Sequence, residues 1–331
     1  MSSTSVATRR LVAARSRWRT GDGIFRAGVA AAAALVIVSL VATAVFLLGE
    51  SLPSLRHYGW TSFLSSTRWA PSEATADRSD PNPYGITQFA YGTAVTSLIG
   101  MIIAVPVAVA VALYVTEVGP AWIRKPMSYL VDLLAAIPSV VYGFWGIFAL
   151  LPALRPVGDA IDSTLGQVPI IGVAFSGPFF GFSYFAAGVV LAIMILPIIT
   201  AICREVFAVA PGDEKEAAMA LGATRWEMIR MAVLPRSRSG IVGAAILGLG
   251  RALGETIAVT MLIGNNVLSI TKSILGQGAT MPSVIANEFT EANQPFHLES
   301  LFVVGLWLLV LALVVNVIGK LVVRRAGETI V

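Results

Sequence analysis

An all-α integral membrane protein with six bilayer-crossing helices is the fold class this sequence predicts, and three observations predict it. Of 331 residues, 56% are hydrophobic and 13% charged, against roughly 25% charged in a soluble domain. The apolar runs are long and continuous, without the alternation over ~10 residues that marks barrel strands, so they read as helices. A charged, amphipathic insert separates two of these runs and points to a docking element on one side of the bilayer.

The first span covers 24–48, behind a basic tail at 1–23. Ala42-Thr43-Ala44 resembles a signal-peptidase site. The apolar stretch nevertheless continues through Val45-Phe46-Leu47-Leu48, longer than the about 7–15 residues of a signal-peptide core, so this span reads as an uncleaved anchor. An extracytoplasmic loop follows at 49–88, rich in Ser, Pro and Asp, with Trp60, Trp69 and Tyr84 along it. Aromatics in such a loop serve as headgroup anchors or as contacts for another protein, and anchoring is the commoner use.

The second span covers 89–115, the third 129–151, the fourth 184–203, the fifth 241–263 and the sixth 298–323, with a tail at 324–331. Pro106, Pro138 and Pro197 fall inside the second, third and fourth, where each removes a helix hydrogen bond that neighbouring helices must compensate. The 154–181 segment, rich in Pro and Gly, reads as an outward loop that partly re-enters the membrane.

Six spans place both termini on one side. Seventeen lysines and arginines flank the spans on that side and five on the other, so the positive-inside rule predicts N-in and C-in. The same distribution accounts for the net charge of +4 and pI of about 9.4 without a nucleic-acid partner. The single cysteine, Cys203, excludes an internal disulfide framework. His57 and His297 fall in separate loops with no metal-ligand spacing, so no metal site is expected.

The insert at 205–239 carries its own signals. Pro211-Gly212-Asp213 makes a turn, Asp213 is a candidate N-cap and Glu216 sits at the third helical position. On a helix from Glu214, Ala217, Ala220 and Leu221 share a face. Gly222 breaks that helix, and a second segment beginning at Ala223-Thr224-Arg225-Trp226 ends at Leu234-Pro235. The product is a compact knob with small residues at its tip, which a partner surface can approach closely; a plain interfacial helix is the alternative.

Glu216-Ala217-Ala218, then Gly222, then Leu234-Pro235 resembles the EAA loop of ABC importer permeases, with Ala232 standing where that family favours isoleucine. Ala136-Ile137-Pro138-Ser139-Val140-Val141-Tyr142-Gly143, the run from Arg251 to Met261, and the stretch from Tyr91-Gly92-Thr93 to Thr116-Glu117 resemble the PstC-type branch of that family. The resemblance implies a type I importer (MetI-like) permease domain over 89–323 and inorganic phosphate as cargo. It also implies a PstA-like second permease subunit, a PstB-like ATPase dimer docked on the EAA loop and a PstS-like extracytoplasmic binding protein. ATP and Mg would be used by the ATPase alone. No G-x-x-x-x-G-K-[ST] occurs, since Gly319-Lys320 is followed by Leu321, so nucleotide chemistry is assigned to a separate protein.

Arg251 and Glu255 stand four apart in the fifth span and are predicted to share one helical face. Gly250 and Gly254 form a GxxxG on the adjoining face, where a second helix can pack closely. Two readings of the charged pair follow: a buried salt bridge that fixes packing, or part of the translocation path or its gate. A guanidinium suits phosphate because its planar donors match two oxyanion oxygens. The rival assignments are a permease for another oxyanion such as molybdate or sulfate, and a stand-alone secondary transporter.

Overall fold

The computed structural model describes the backbone of residues 4–74 and 81–328, and the side chains of 22–74, 81–120 and 122–325. The arginines counted at positions 9–19 and Arg78 therefore lie outside the described side chains. The chain divides into two units, Met1–Glu50 and Ser51–Val331. In the first, a continuous helix presents Leu35, Val36, Ile37 and Val41 to the surroundings, as a segment solvated by lipid does. The described residues hold only helices, turns and two isolated bridges.

In chain order the helices are α1 (Thr4–Tyr58), α2 (Trp60–Ser65), α3 (Thr87–Leu113), α4 (Ala121–Ala135), α5 (Ser139–Trp145), α6 (Leu151–Thr164) and α7 (Tyr184–Ala208). They continue with α8 (Gly212–Ala220), α9 (Arg225–Met228), α10 (Leu234–Leu253), α11 (Ile257–Ile263), α12 (Met281–Glu288) and α13 (His297–Glu328). Five helical runs are long and apolar enough to cross a membrane: Asp22–Tyr58, Thr87–Val118, Ser139–Gln167, Tyr184–Ala208 and His297–Arg325. A sixth candidate is the bent pair Arg225–Leu253 and Ile257–Ile263.

The second, fourth and sixth predicted spans coincide with three of these runs. The third does not. α4 ends at Ala135, Pro138 takes the cap position of α5 in extended conformation, and the membrane-length run begins at Ser139. Pro138 does not kink a helix interior here; it separates two helices, because it has no N–H to donate and its ring disfavours a helical residue before it. The displaced span reaches into what was predicted to be the 154–181 loop, of which 154–164 is helical as part of α6.

The fifth span is also corrected. It is not one helix over 241–263 but breaks at Gly254-Glu255-Thr256, where the axis turns by 66°. At its other end it extends backward: the segment from Arg225 does not stop at Leu234-Pro235 but continues into α10 through a π-helical turn, Ile229–Val233. That turn ends two residues before Pro235, and such a one-residue bulge is a common way for a helix to bend.

α7 is buried along most of its length, with Ala186, Val190, Ile195, Ile199 and Cys203 in the core. It packs against α3 and α10 at glycines: a Cβ on Gly188 would lie 2.6 Å from the Ile99 side chain, and one on Gly248 would lie 2.7 Å from Ile199. These two glycines, rather than Gly250 and Gly254, bring helices together within this chain. Among the described residues, no atom outside its own helix comes within 4 Å of a Cβ built on Gly250, and around Gly254 only the Gly250 carbonyl does.

A second, smaller core caps the start of α3. Trp69 and Tyr84, predicted as headgroup anchors, are fully buried in it, while Trp60 is exposed. Trp69 Nε1 donates to Glu288 Oε2 at 2.7 Å, and the Tyr84 hydroxyl donates to the Pro295 carbonyl at 2.8 Å. The two histidines, predicted to lie in separate loops, sit in helices α1 and α13 and meet this same aromatic cluster. His57 stacks on Phe296 and His297 on Tyr84, with His297 Nε2 hydrogen-bonded to Glu288 at 2.8 Å.

Candidate functional site: the helical insert and the broken helix

The insert forms as a helix, a glycine turn and a second helix, with one correction to its start. Asp213 is not the N-cap: Pro211 occupies that position, α8 begins at Gly212, and Asp213 and Glu214 fall in its first turn, where carboxylates favour the positive helix end. The capping box lies one element later. The Thr224 hydroxyl accepts from the Glu227 N–H while the Glu227 carboxylate accepts from the Thr224 N–H at 2.7 Å. The Thr224 N–H, and the Thr224 hydroxyl donating to the same carboxylate oxygen at 2.8 Å, hold the Glu227 carboxyl below the usual carboxylate range.

Gly222 makes the turn at φ 88°, a left-handed conformation that glycine adopts without a Cβ penalty. Among the described residues, nothing lies within 4 Å of where its Cβ would stand. α8 holds no fully buried residue; Glu216, Ala217, Ala220 and Leu221 are exposed, Leu221 at 90%, and Ala218 is half-buried. The small-residue face is therefore uncovered in the single chain, as a docking face must be. Leu234 and Pro235 are half-buried where the insert joins α10.

Ion pairs tie the insert down from the sides. Lys215 Nζ lies 2.7 Å from Glu117 Oε1, and the Glu117 side chain is only 8% exposed. Arg225 donates to the Glu117 carbonyl at 3.0 Å. Glu214 pairs with Arg236 at 3.7 Å. Beside these tethers the insert is undercut. An open cleft of about 560 Å³ separates the end of α7 from the start of α10, and a second of about 430 Å³ lies between the end of α3 and Trp226, Ile229 and Leu234. In the sequence Lys215 stands out only as a topology charge, Arg225 as that and as part of the start of the second segment, and Glu117 only as the end of a stretch that resembles the family; a lone carboxylate closing an apolar span was the available signal.

The broken helix places its two charges differently from the predicted pair. Arg251 lies in the last turn of α10 and is exposed, whereas Glu255 lies in the break beyond the helix end. No ion pair joins them among the described residues. The reason is the 66° bend, which removes the common helical face. Each charge instead suits its local helix end: Arg251 the negative C-terminus of α10, and Glu255 the N-terminus of α11, where Oε1 accepts weakly from the Ala258 N–H at 3.4 Å. A packing salt bridge between them is thereby ruled out as their role in this conformation.

These features define a polytopic helical membrane subunit with a protruding, tethered insert and a discontinuous helix beside an uncovered glycine face. Residues 104–328 match the family described as binding-protein-dependent transport system inner membrane component, and the chain belongs to that family. It is an inner-membrane component. Similar curated proteins include the phosphate transport system permease protein PstC of Xylella fastidiosa (strain 9a5c), 42% identical over 93% of this chain and 92% of the relative. PstC of Haemophilus influenzae is 38% identical over 93% and 95%, and PstC 2 of Mycobacterium tuberculosis is 38% identical over 91% of each chain. A solved structure of the MetNI methionine ABC transporter in an inward-facing conformation covers 73% of this chain and 94% of its own, at 21% identity and TM-score 0.49.

Proposed function

We propose that this chain is a non-ATPase permease subunit of an ATP-driven importer and carries inorganic phosphate across the cytoplasmic membrane together with a second permease subunit. Near-full-length similarity to proteins named as phosphate permeases is the observation that carries the cargo. The uncovered, tethered insert supports attachment to a separate ATPase, which uses ATP and Mg while this chain binds neither. An extracytoplasmic phosphate-binding protein delivers the cargo, and Arg251 and Glu255 act along the path or its gate. The open surface beside Gly250 and Gly254 is the proposed seat of a helix from the second permease. In a reconstituted complex, phosphate uptake that depends on ATP and resists a large excess of sulfate or molybdate is expected; uptake driven by either competitor, with phosphate inert, overturns the cargo assignment.

The proposed topology is six spans, N-in and C-in, on the strength of the charge asymmetry. Cysteines introduced at the exposed positions Ser72 and Leu221 are expected to react with an impermeant maleimide from opposite faces, against a background in which the native Cys203 is buried. Labelling of both from one face defeats it.

A further inference from the structure

Glu117 is the penultimate residue of the membrane-length run Thr87–Val118, within the π-helical turn Tyr114–Val118. A carboxylate there faces the negative end of its own helix and is nearly withdrawn from water, with 8% of the side chain exposed. Burial of a charge in that position is sustained only by a close cation. Lys215 supplies it at 2.7 Å from the middle of α8. The Glu117 carbonyl, one of the acceptors left without an intrahelical donor at a helix end, is taken by Arg225 from the far side of the Gly222 turn. Both arms of the insert therefore grip one residue of the π-helical turn that continues α3.

α8 itself is loosely held, whereas the second arm of the insert is seated in the main core through Met228, Ile229 and Val233. α8 has no fully buried residue, clefts flank the insert, and its other ion pair, Glu214–Arg236, is about half exposed on each side. α3, which precedes Glu117 in the chain, is firmly built into the bundle, with Gly188 admitting Ile99 at α7. A displacement of α8 thus reaches the membrane helices through its covalent links to α7 and α10, through the buried second arm, and across space through Glu117. We infer that Glu117 is a positioning residue for energy coupling: with Lys215 and Arg225 it converts movement of the ATPase-docking insert into movement of α3. This rests on the proposal that the insert docks on the ATPase.

The test uses the complete reconstituted importer and measures phosphate moved per ATP hydrolysed in complexes that retain the ATPase. Glu117→Gln and Lys215→Met are each expected to lower that ratio by about tenfold, within the roughly 5–150-fold span of site-to-site coupling. The exchange Glu117→Lys with Lys215→Glu is expected to recover most of it, a recovery that depends on the ion pair and not on either residue alone. A normal ratio in both single variants overturns the inference. So does failure of both to assemble, which would make the pair an element of folding alone. Gly222→Asp is the parallel control: if it leaves the ATPase bound and transport normal, the docking reading itself falls, whereas its failure to transport beside a normal Glu117→Gln sinks only the role of Glu117.

Discussion

Gly222→Asp is expected to abolish phosphate uptake while the chain still inserts and the second permease still binds. Two effects separate at this position. Any side chain other than glycine meets the left-handed backbone, φ 88°, at a cost of about 1–2 kcal/mol, least for Asn and Asp, which tolerate that region. The second effect is the charge: buried against a partner, an unpaired carboxylate is strongly destabilising, about 3–5 kcal/mol for a broken buried pair. Gly222→Asn isolates the first effect and is expected to retain most transport, since it adds similar bulk without charge. Leu221→Glu repeats the second on a residue 90% exposed, where folding is not at stake. It is a cleaner probe than Ala218→Glu, because Ala218 is half-buried and its carbonyl accepts from the Ala223 N–H at the turn. Co-purification of the ATPase with each variant, beside uptake, is the measurement. Normal uptake by both Gly222→Asp and Leu221→Glu, with the ATPase retained, would remove the docking assignment.

Arg251→Lys is expected to reduce uptake by roughly 10–100-fold, the loss of a charge-assisted hydrogen bond of about 1.5–3 kcal/mol, with the complex assembled. The structure sharpens why this substitution decides. Arg251 closes the last turn of α10, and a local role there, favouring the negative helix end, is served as well by lysine. A planar fork engaging two oxygens of a passing oxyanion is not. Reversing both charges, attractive when the two residues are taken as a pair, tests little: Arg251 and Glu255 form no ion pair, and the exchange sets each new charge against its own helix dipole. Glu255→Gln adds the complement, since it removes the charge while keeping an acceptor for the Ala258 N–H. Wild-type uptake in Arg251→Lys would return Arg251 to a helix-end role.

Where the sequence read true and where it did not follows from which residues control each element. The spans at α3, α7 and α13 were legible because long apolar runs end in clear polar punctuation. The third was misplaced because 129–151 is apolar on both sides of Pro138, and composition cannot show that the proline parts two helices instead of bending one. The break at Gly254-Glu255-Thr256 has no strong local signal. α11 is set at its angle by packing, as Met261 and Leu262 fill the space above Gly143 and Gly146. The insert was recognised from its motif, yet its anchorage was invisible because Lys215 and Glu117 lie 98 positions apart. Trp69 and Tyr84 were misread for the same reason: their hydrogen-bond partners lie 219 and 211 positions away.

Those distant partners bear on how the protein is made. The cap over the start of α3 joins residues near positions 54–89 to residues near 281–304, with Ser54 hydrogen-bonded to Ser300 across 246 positions. A ribosome emitting about 5–20 residues per second delivers the early half of the cap well before the late half. During that interval Trp69, Tyr84 and Phe89 have no completed core to enter, and the segment that carries them is open to proteases and chaperones. Closure of the cap thus reports that α13 has arrived, and a lesion at Glu288 or His297 would be met first as a defect of biogenesis, in lowered yield, before any defect in transport could be measured.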